Sequence, residues 1–189
     1  MDPFSHILWS VIVFKGAKVV NYRKVSQSSQ KNISVLSNKA PIFWVMFFGI
    51  FPDLLSGIPF LIWKLFYFNF NLDIVFGGWL ELTPPAIFAA FQTAYNLFHS
   101  ILVFGAVLIL LFIFNKRKIW LPILAWGLHI FIDIFSHAGP SHGIRIFYPF
   151  SDFYFNFVNW DTVPFMIVNT IVLGIIGLIL VIRKLSSEA

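Results

Sequence analysis

The sequence predicts an all-α fold: a polytopic membrane bundle of four full spans plus a short N-terminal helix. Residues 1–189 form one integral-membrane helical domain in this reading. Three observations predict it. Of the 189 residues, 59% are hydrophobic and only 11% charged, where a soluble domain carries about 25% charged residues. Mean hydropathy is +0.84. Four apolar stretches, residues 42–63, 86–114, 119–137 and 163–182, approach or exceed the roughly 20 residues that a bilayer core demands.

The elements follow in chain order. Residues 7–14 are apolar but soon meet Lys15 and Lys18, so a tilted or half-inserted helix is expected, running on to about Val20. The N-terminus starts with an acid and lacks both a basic segment and a small-residue cleavage site, so no signal peptide is expected. In the first long stretch, Pro52 and Pro59 predict a kink or break. A membrane tolerates this where protein or a water-filled cavity satisfies the freed backbone groups. Residues 67–82 and 147–160 are aromatic but too short to span, and they read as outer interfacial caps or as ordinary lipid-facing loops.

Charge sets the expected orientation. Lys15, Lys18, Arg23, Lys24, Lys31, Lys39, Lys116, Arg117, Lys118, Arg183 and Lys184 all fall on one side of a four-span chain. Only Lys64 and Arg145 fall on the other. The positive-inside rule makes the first side cytoplasmic. The net charge of +5 is therefore topological, and no nucleic-acid partner is expected. The expected location is a cell (inner) membrane, with the C-terminus cytoplasmic. With no cysteine in the chain, disulfides, thiolate metal sites and a cysteine nucleophile are excluded.

The segment GLHIFIDIFSHAGPSHG, residues 127–143, places His129, Asp133, His137 and His142 in an otherwise greasy run. An Asp at the centre of a membrane helix costs roughly 2.5–3.5 kcal/mol on insertion scales. Asp53 and Asp133 both stand inside spans, and a cation would offset that cost. Counting 1.5 Å per residue from the cytoplasmic ends puts Asp53 and His129 roughly 15–16 Å deep. Asp133 and His99 come out at roughly 21–22 Å and His137 at about 27 Å. His6 lies at the outer end of the first helix. All five histidines thus belong to one layer or its outer rim.

His129, Asp133 and His137 are four residues apart in turn and would share one helix face. A continuous helix would hold the outer two about 12 Å apart, too far for one ion with ligand bonds of about 2.0–2.2 Å. At least two ions are then needed if all three residues ligate, with Asp133 as the bridging carboxylate. Imidazole and carboxylate without thiolate suit Zn²⁺, with Mn²⁺ or Fe as alternatives. Each residue alone also admits a plainer role. His99 or the His129/Asp133 pair can be helix–helix hydrogen-bonding groups, Asp53 can cap a broken helix at Leu54, and His6 and His142 can be surface histidines.

Five short motifs, SHILWSV, FPDLLSG, FHSIL, HIFIDIFSHAG and FYPFSD, stand in an order that resembles the YdjM-like family of membrane-bound, metal-dependent hydrolases. That family looks related to the zinc-dependent phospholipase C and single-strand nuclease superfamily, whose helical fold holds three zinc ions. The resemblance implies His6, Asp53, His99, His129, Asp133, His137 and His142 as metal ligands for two or three ions. It departs from the family pattern at Leu55, where a second acid is common, and at Ala94, where another His is common.

A cluster of this kind suits ester and phosphoester hydrolysis, because divalent ions bring the pKa of water toward about 7. Asp53 would bridge the ions or hydrogen-bond the attacking water. His6, His99, His129 and Asp133 would hold the inner ions, and His137 and His142 the outermost one. Arg145 would bind a substrate phosphate or anchor the chain at the interface. A lipid phosphoester is the expected substrate class, with a site open to the outer leaflet. Two rivals remain: a proton or metal transporter, and a structural site whose metal only ties helices together.

Overall fold

The computed structural model describes residues 1–25, 42–115, 120–139 and 143–188. All regular structure among them is helical. The long helices are α1 (Pro3–Val25), α2 (Ile42–Tyr67), α4 (Pro85–Phe98), α5 (Ile101–Phe114), α6 (Leu124–Ser136) and α7 (Val163–Glu188). A π-helical turn, Ile74–Gly78, and the short α3, Trp79–Leu82, join α2 to α4. A 3-10 turn, Leu121–Ile123, leads into α6.

Helix α2 is the hub, packing against α1, α4 and α6. Its buried residues Val45, Gly49, Pro52, Ser56 and Phe60 recur every three or four positions and so form one face. The helix is not broken at Pro52 or Pro59 but runs unbroken through both. Ser56 Oγ donates to Pro52 O at 2.9 Å. Gly49 permits the close approach of α1: a Cβ there would meet Ser10 Oγ at 2.5 Å and the His6 carbonyl at 3.3 Å. Small residues at such crossings let membrane helices pack backbone to backbone.

Among the described residues two helices are long and apolar enough to cross a membrane, Ile42–Tyr67 and Val163–Ser186. The third span read from the sequence, residues 86–114, is in fact two helices. α4 and α5 meet at His99 and Ser100 with a bend of 53°, and count as a third crossing if taken as one broken span. The fourth, residues 119–137, contains only a shorter apolar helical segment, Leu121–Ser136. Helix α1 extends past the expected Val20, to Val25.

The break between α4 and α5 has a local cause. Ser100 is the N-cap of α5, with its side chain accepting from Leu102 N at 3.2 Å and Val103 N at 3.4 Å. The same hydroxyl donates to Tyr148 O at 2.7 Å, and Ile101 N donates to Ile146 O at 3.0 Å. Trp126 Nε1 donates to Phe98 O at 2.8 Å, satisfying a carbonyl left over at the end of α4. The broken backbone is therefore partnered by protein groups, which membrane burial requires. These contacts also tie the 146–150 turns, which carry most of the FYPFSD motif, to the break.

Helix α7 packs on α1. Trp9 Nε1 donates to Asn169 Oδ1, and Asn169 Nδ2 donates to Ser5 Oγ, both at 2.9 Å. Most of its apolar side chains face outward, such as Val163, Leu178 and Leu185, as expected of a helix whose solvent is lipid.

Candidate metal centre

Four helices deliver the polar residues to one place. α2 supplies Asp53, the end of α4 supplies His99, and α6 supplies His129 and Asp133. The buried residues of α6, Ala125, Trp126, His129, Ile130, Asp133 and Ser136, share one helical face turned toward α2. Helix α1 brings His6 alongside, its ring stacked on His129 with centroids 3.7 Å apart.

Asp53, His99, His129 and Asp133 each place one donor atom within 4.8 Å of the others. His99 Nε2 lies 3.1 Å from His129 Nε2. Asp133 Oδ2 lies 3.1 Å from His129 Nε2 and 3.5 Å from His99 Nε2. Asp53 Oδ1 lies 3.5 Å from His99 Nε2 and 3.8 Å from His129 Nε2. A tetrahedral zinc with bonds of about 2.0–2.2 Å sets its ligand atoms roughly 3.3–3.6 Å apart, so the observed spacing suits one ion.

The histidine tautomers strengthen the fit. His129 Nδ1 is 2.7 Å from Gly49 O, and His99 Nδ1 is 2.8 Å from Tyr95 O. A carbonyl can only accept, so each Nδ1 carries the proton. Each ring then turns its Nε2 toward the other and toward two carboxylates. Metal-binding histidines are oriented in this way by a backbone carbonyl on the second nitrogen. The Gly49 carbonyl lies next to that of Phe48, which Pro52 leaves without its helical donor. Buried Asp53 Oδ2 and Asp133 Oδ2 have no hydrogen-bond partner, and burying bare acceptors is costly without a compensating cation.

Asp133 faces two ways. Its Oδ2 points into the four-residue cluster, while its Oδ1 lies 3.0 Å from His6 Nε2 and 3.4 Å from His137 Nδ1. The Met1 nitrogen and Ser136 Oγ also lie against Oδ1. His6 Nδ1 and Nε2 have no hydrogen-bond partner of acceptable geometry. Asp133 thus stands between the four-residue cluster and the His6 and His137 rings.

His137 corrects an expectation. Helix α6 ends at Ser136, and His137 has an extended backbone, φ −127° and ψ 138°. It does not stand a further turn along the axis from Asp133. Its ring folds back instead, with Nδ1 3.2 Å from the Asp133 carbonyl. The 12 Å separation expected of a continuous helix does not apply. Asp53 is likewise no cap, since it lies within the continuous α2.

His142 lies outside the described residues. Arg145 is half-exposed, with Nη1 3.0 Å from Asp152 Oδ1. Leu55 is partly exposed on α2, and Ala94 lies within α4. Sequence reasoning missed Tyr95, whose ring stacks on His99 with centroids 4.1 Å apart. The signal for it was present, four residues before His99 on the same helix. It also missed the Met1 nitrogen and the part played by Gly49.

Fold and site together define a chain that is all-helical over the described residues, with apolar helices able to cross a membrane and a His/Asp cluster able to hold a metal ion. No protein-family profile, curated protein or solved structure matches the chain.

Proposed function

We propose that the protein is a membrane-embedded, metal-dependent hydrolase acting on a phosphoester or ester of a lipid. The observation that carries it is the set of inward-facing groups, the His99 and His129 Nε2 atoms and two carboxylates, of which Asp53 alone is partly exposed. The side chain of Asp53 is 24% exposed, whereas those of His99, His129 and Asp133 are at most 1% exposed. A structural metal site is closed on all sides, while a catalytic site keeps one position open. Here the open side is that of Asp53.

His99, His129, Asp53 and Asp133 would hold one ion, and His6 and His137, with Asp133 shared, a second. Zn²⁺ suits this donor set best, with Mn²⁺ or Fe as alternatives. The bound ions supply Lewis acidity and an acidified water near neutral pH. Asp53, the partly exposed carboxylate of the four, would orient the attacking water. The water oxygen bonds to phosphorus, the ester P–O bond breaks, and the water's proton leaves on the departing alkoxide. Buried Asp133 holds the histidines of α1 and α6 in register.

The chain crosses the membrane four times in this account, with α4–α5 as one bent span and Leu121–Ser136 as a short one. The Lys- and Arg-rich loops face the cytoplasm and the site faces outward. The resemblance to the YdjM-like family points the same way. Transport fits less well. On the cytoplasmic side of His129, Ile123 and Trp126 pack with Phe48, Phe51 and Phe98, an apolar layer.

The test is direct. Full-length protein purified without chelator should carry zinc or manganese, and chelation should abolish hydrolysis of a lipid phosphoester, with metal restoring it. Metal-free protein that hydrolyses as well as the loaded form would overturn the proposal.

A further inference from the structure

Beside Asp53 a cleft of about 330 Å³ opens between α2 and α4, near the start of α1. Asp53, Gly57, Ile58 and Leu61 line one wall, and Phe91 and Tyr95 the other. Almost all the surface is carbon, and the polar end is the partly exposed carboxylate of the metal cluster. At the mouth, Ile58 is 45% exposed, so the cleft opens sideways toward the surface that lipid would cover. The wall from Asp53 to Leu61 is two turns of α2, about 12 Å long.

We propose that this cleft seats a single alkyl chain of an amphiphile whose phosphate head meets the cluster at Asp53. The hydrolase reading supplies the identity of the head, and the seat of the chain follows from the cleft itself. The cleft, about 330 Å³ and bounded along about 12 Å of α2, suits one extended chain lying along that helix. The volume lies at the lower end of ligand pockets, about 300–1,000 Å³. Continuity matters too: an apolar chain in the cleft leaves its head beside the only partly exposed ligand of the cluster.

Gly57 makes the cleft testable. A Cβ there would meet nothing within 4 Å, so a larger side chain enters the cleft without striking the fold. The probe is dodecyl phosphate with a diazirine at the chain end, added to full-length protein in lipid nanodiscs, illuminated and mapped by peptide mass spectrometry. Labels should fall on Ile58, Leu61 or Phe91. Gly57→Leu should lower labelling about tenfold while metal content and thermal midpoint stay as in the parent. Gly57→Ala should label nearly as the parent does.

Undiminished labelling in Gly57→Leu would overturn the proposal. So would labels concentrated on the other apolar cleft, around Phe131 and Phe165 between α1, α6 and α7. Cleft labelling in a parent protein that holds no metal would uphold the chain seat and sink the hydrolase reading, which separates the two failures.

Discussion

His99 and His129 face each other across the bundle with their Nε2 atoms 3.1 Å apart, while each Nδ1 is committed to a backbone carbonyl, Tyr95 O or Gly49 O. With Asp53 and Asp133 beside them, the two Nε2 atoms form a donor set that a cation would hold together.

It follows that neither histidine supports the site alone. His99→Gln and His129→Gln should each weaken zinc binding by more than the roughly 10–100-fold that loss of an outer partner costs. The double variant should bind little worse than either single one, because each change already leaves the site incomplete. Competition titration against a chromophoric chelator measures this, and parent-like affinity in either single variant would contradict it.

Asp53→Asn separates the metal-loaded and metal-free proteins. In the loaded protein it removes an anionic ligand and lowers the thermal midpoint. In chelated protein it removes a carboxylate whose Oδ2 has no partner, and the midpoint should hold or rise. The two effects have opposite sign, each on the order of 1–3 kcal/mol. Thermal scans with and without chelator read both, and a fall of equal size in the two states would speak against a cation at this position.

Gly49→Ala should push α1 away from α2, since the new Cβ would meet Ser10 Oγ at 2.5 Å and Ser10 Cβ at 3.0 Å. Overpacking of this kind costs about 1–3 kcal/mol. Ser10→Gly in the same chain should recover part of the loss, a coupling that a double-mutant cycle measures. His6 rides on the same turn of α1, so metal binding at the Asp133 Oδ1 side should weaken in Gly49→Ala and return in the pair. Strictly additive effects would show that the helices do not depend on this contact.

Ser100→Ala removes the cap of α5 and the donor to Tyr148 O together. Loss of a cap costs about 0.5–2 kcal/mol. Hydrogen exchange should quicken at Leu102, Val103 and the 146–150 turns, while Ser100→Thr should keep the parent pattern. Unchanged exchange in Ser100→Ala would remove the serine from its role in the break.

Much of the site was legible in the sequence because depth along a membrane helix is a nearly linear count. Asp53, His99, His129 and Asp133 were placed at similar depth by that count, and they converge within 4.8 Å. The same linearity misled where the helix stops. His137 was counted as two turns beyond His129, but α6 ends at Ser136, and the turn carries the ring back to Asp133. Residues 86–114 read as one span because apolar content hides a break. The signal there was Ser100, a good N-cap residue between two apolar runs. Gly49 and Tyr95 act through contacts between helices and through a backbone carbonyl, neither of which hydropathy or spacing records.

The central claim is that a cation gathers these side chains, and anomalous scattering at the zinc edge from crystals of the zinc-loaded, full-length protein tests it most directly. The account predicts a peak about 2.0–2.2 Å from His99 Nε2, His129 Nε2 and an oxygen of both Asp53 and Asp133. Zinc bound elsewhere, with these four donors empty or splayed apart, would contradict it.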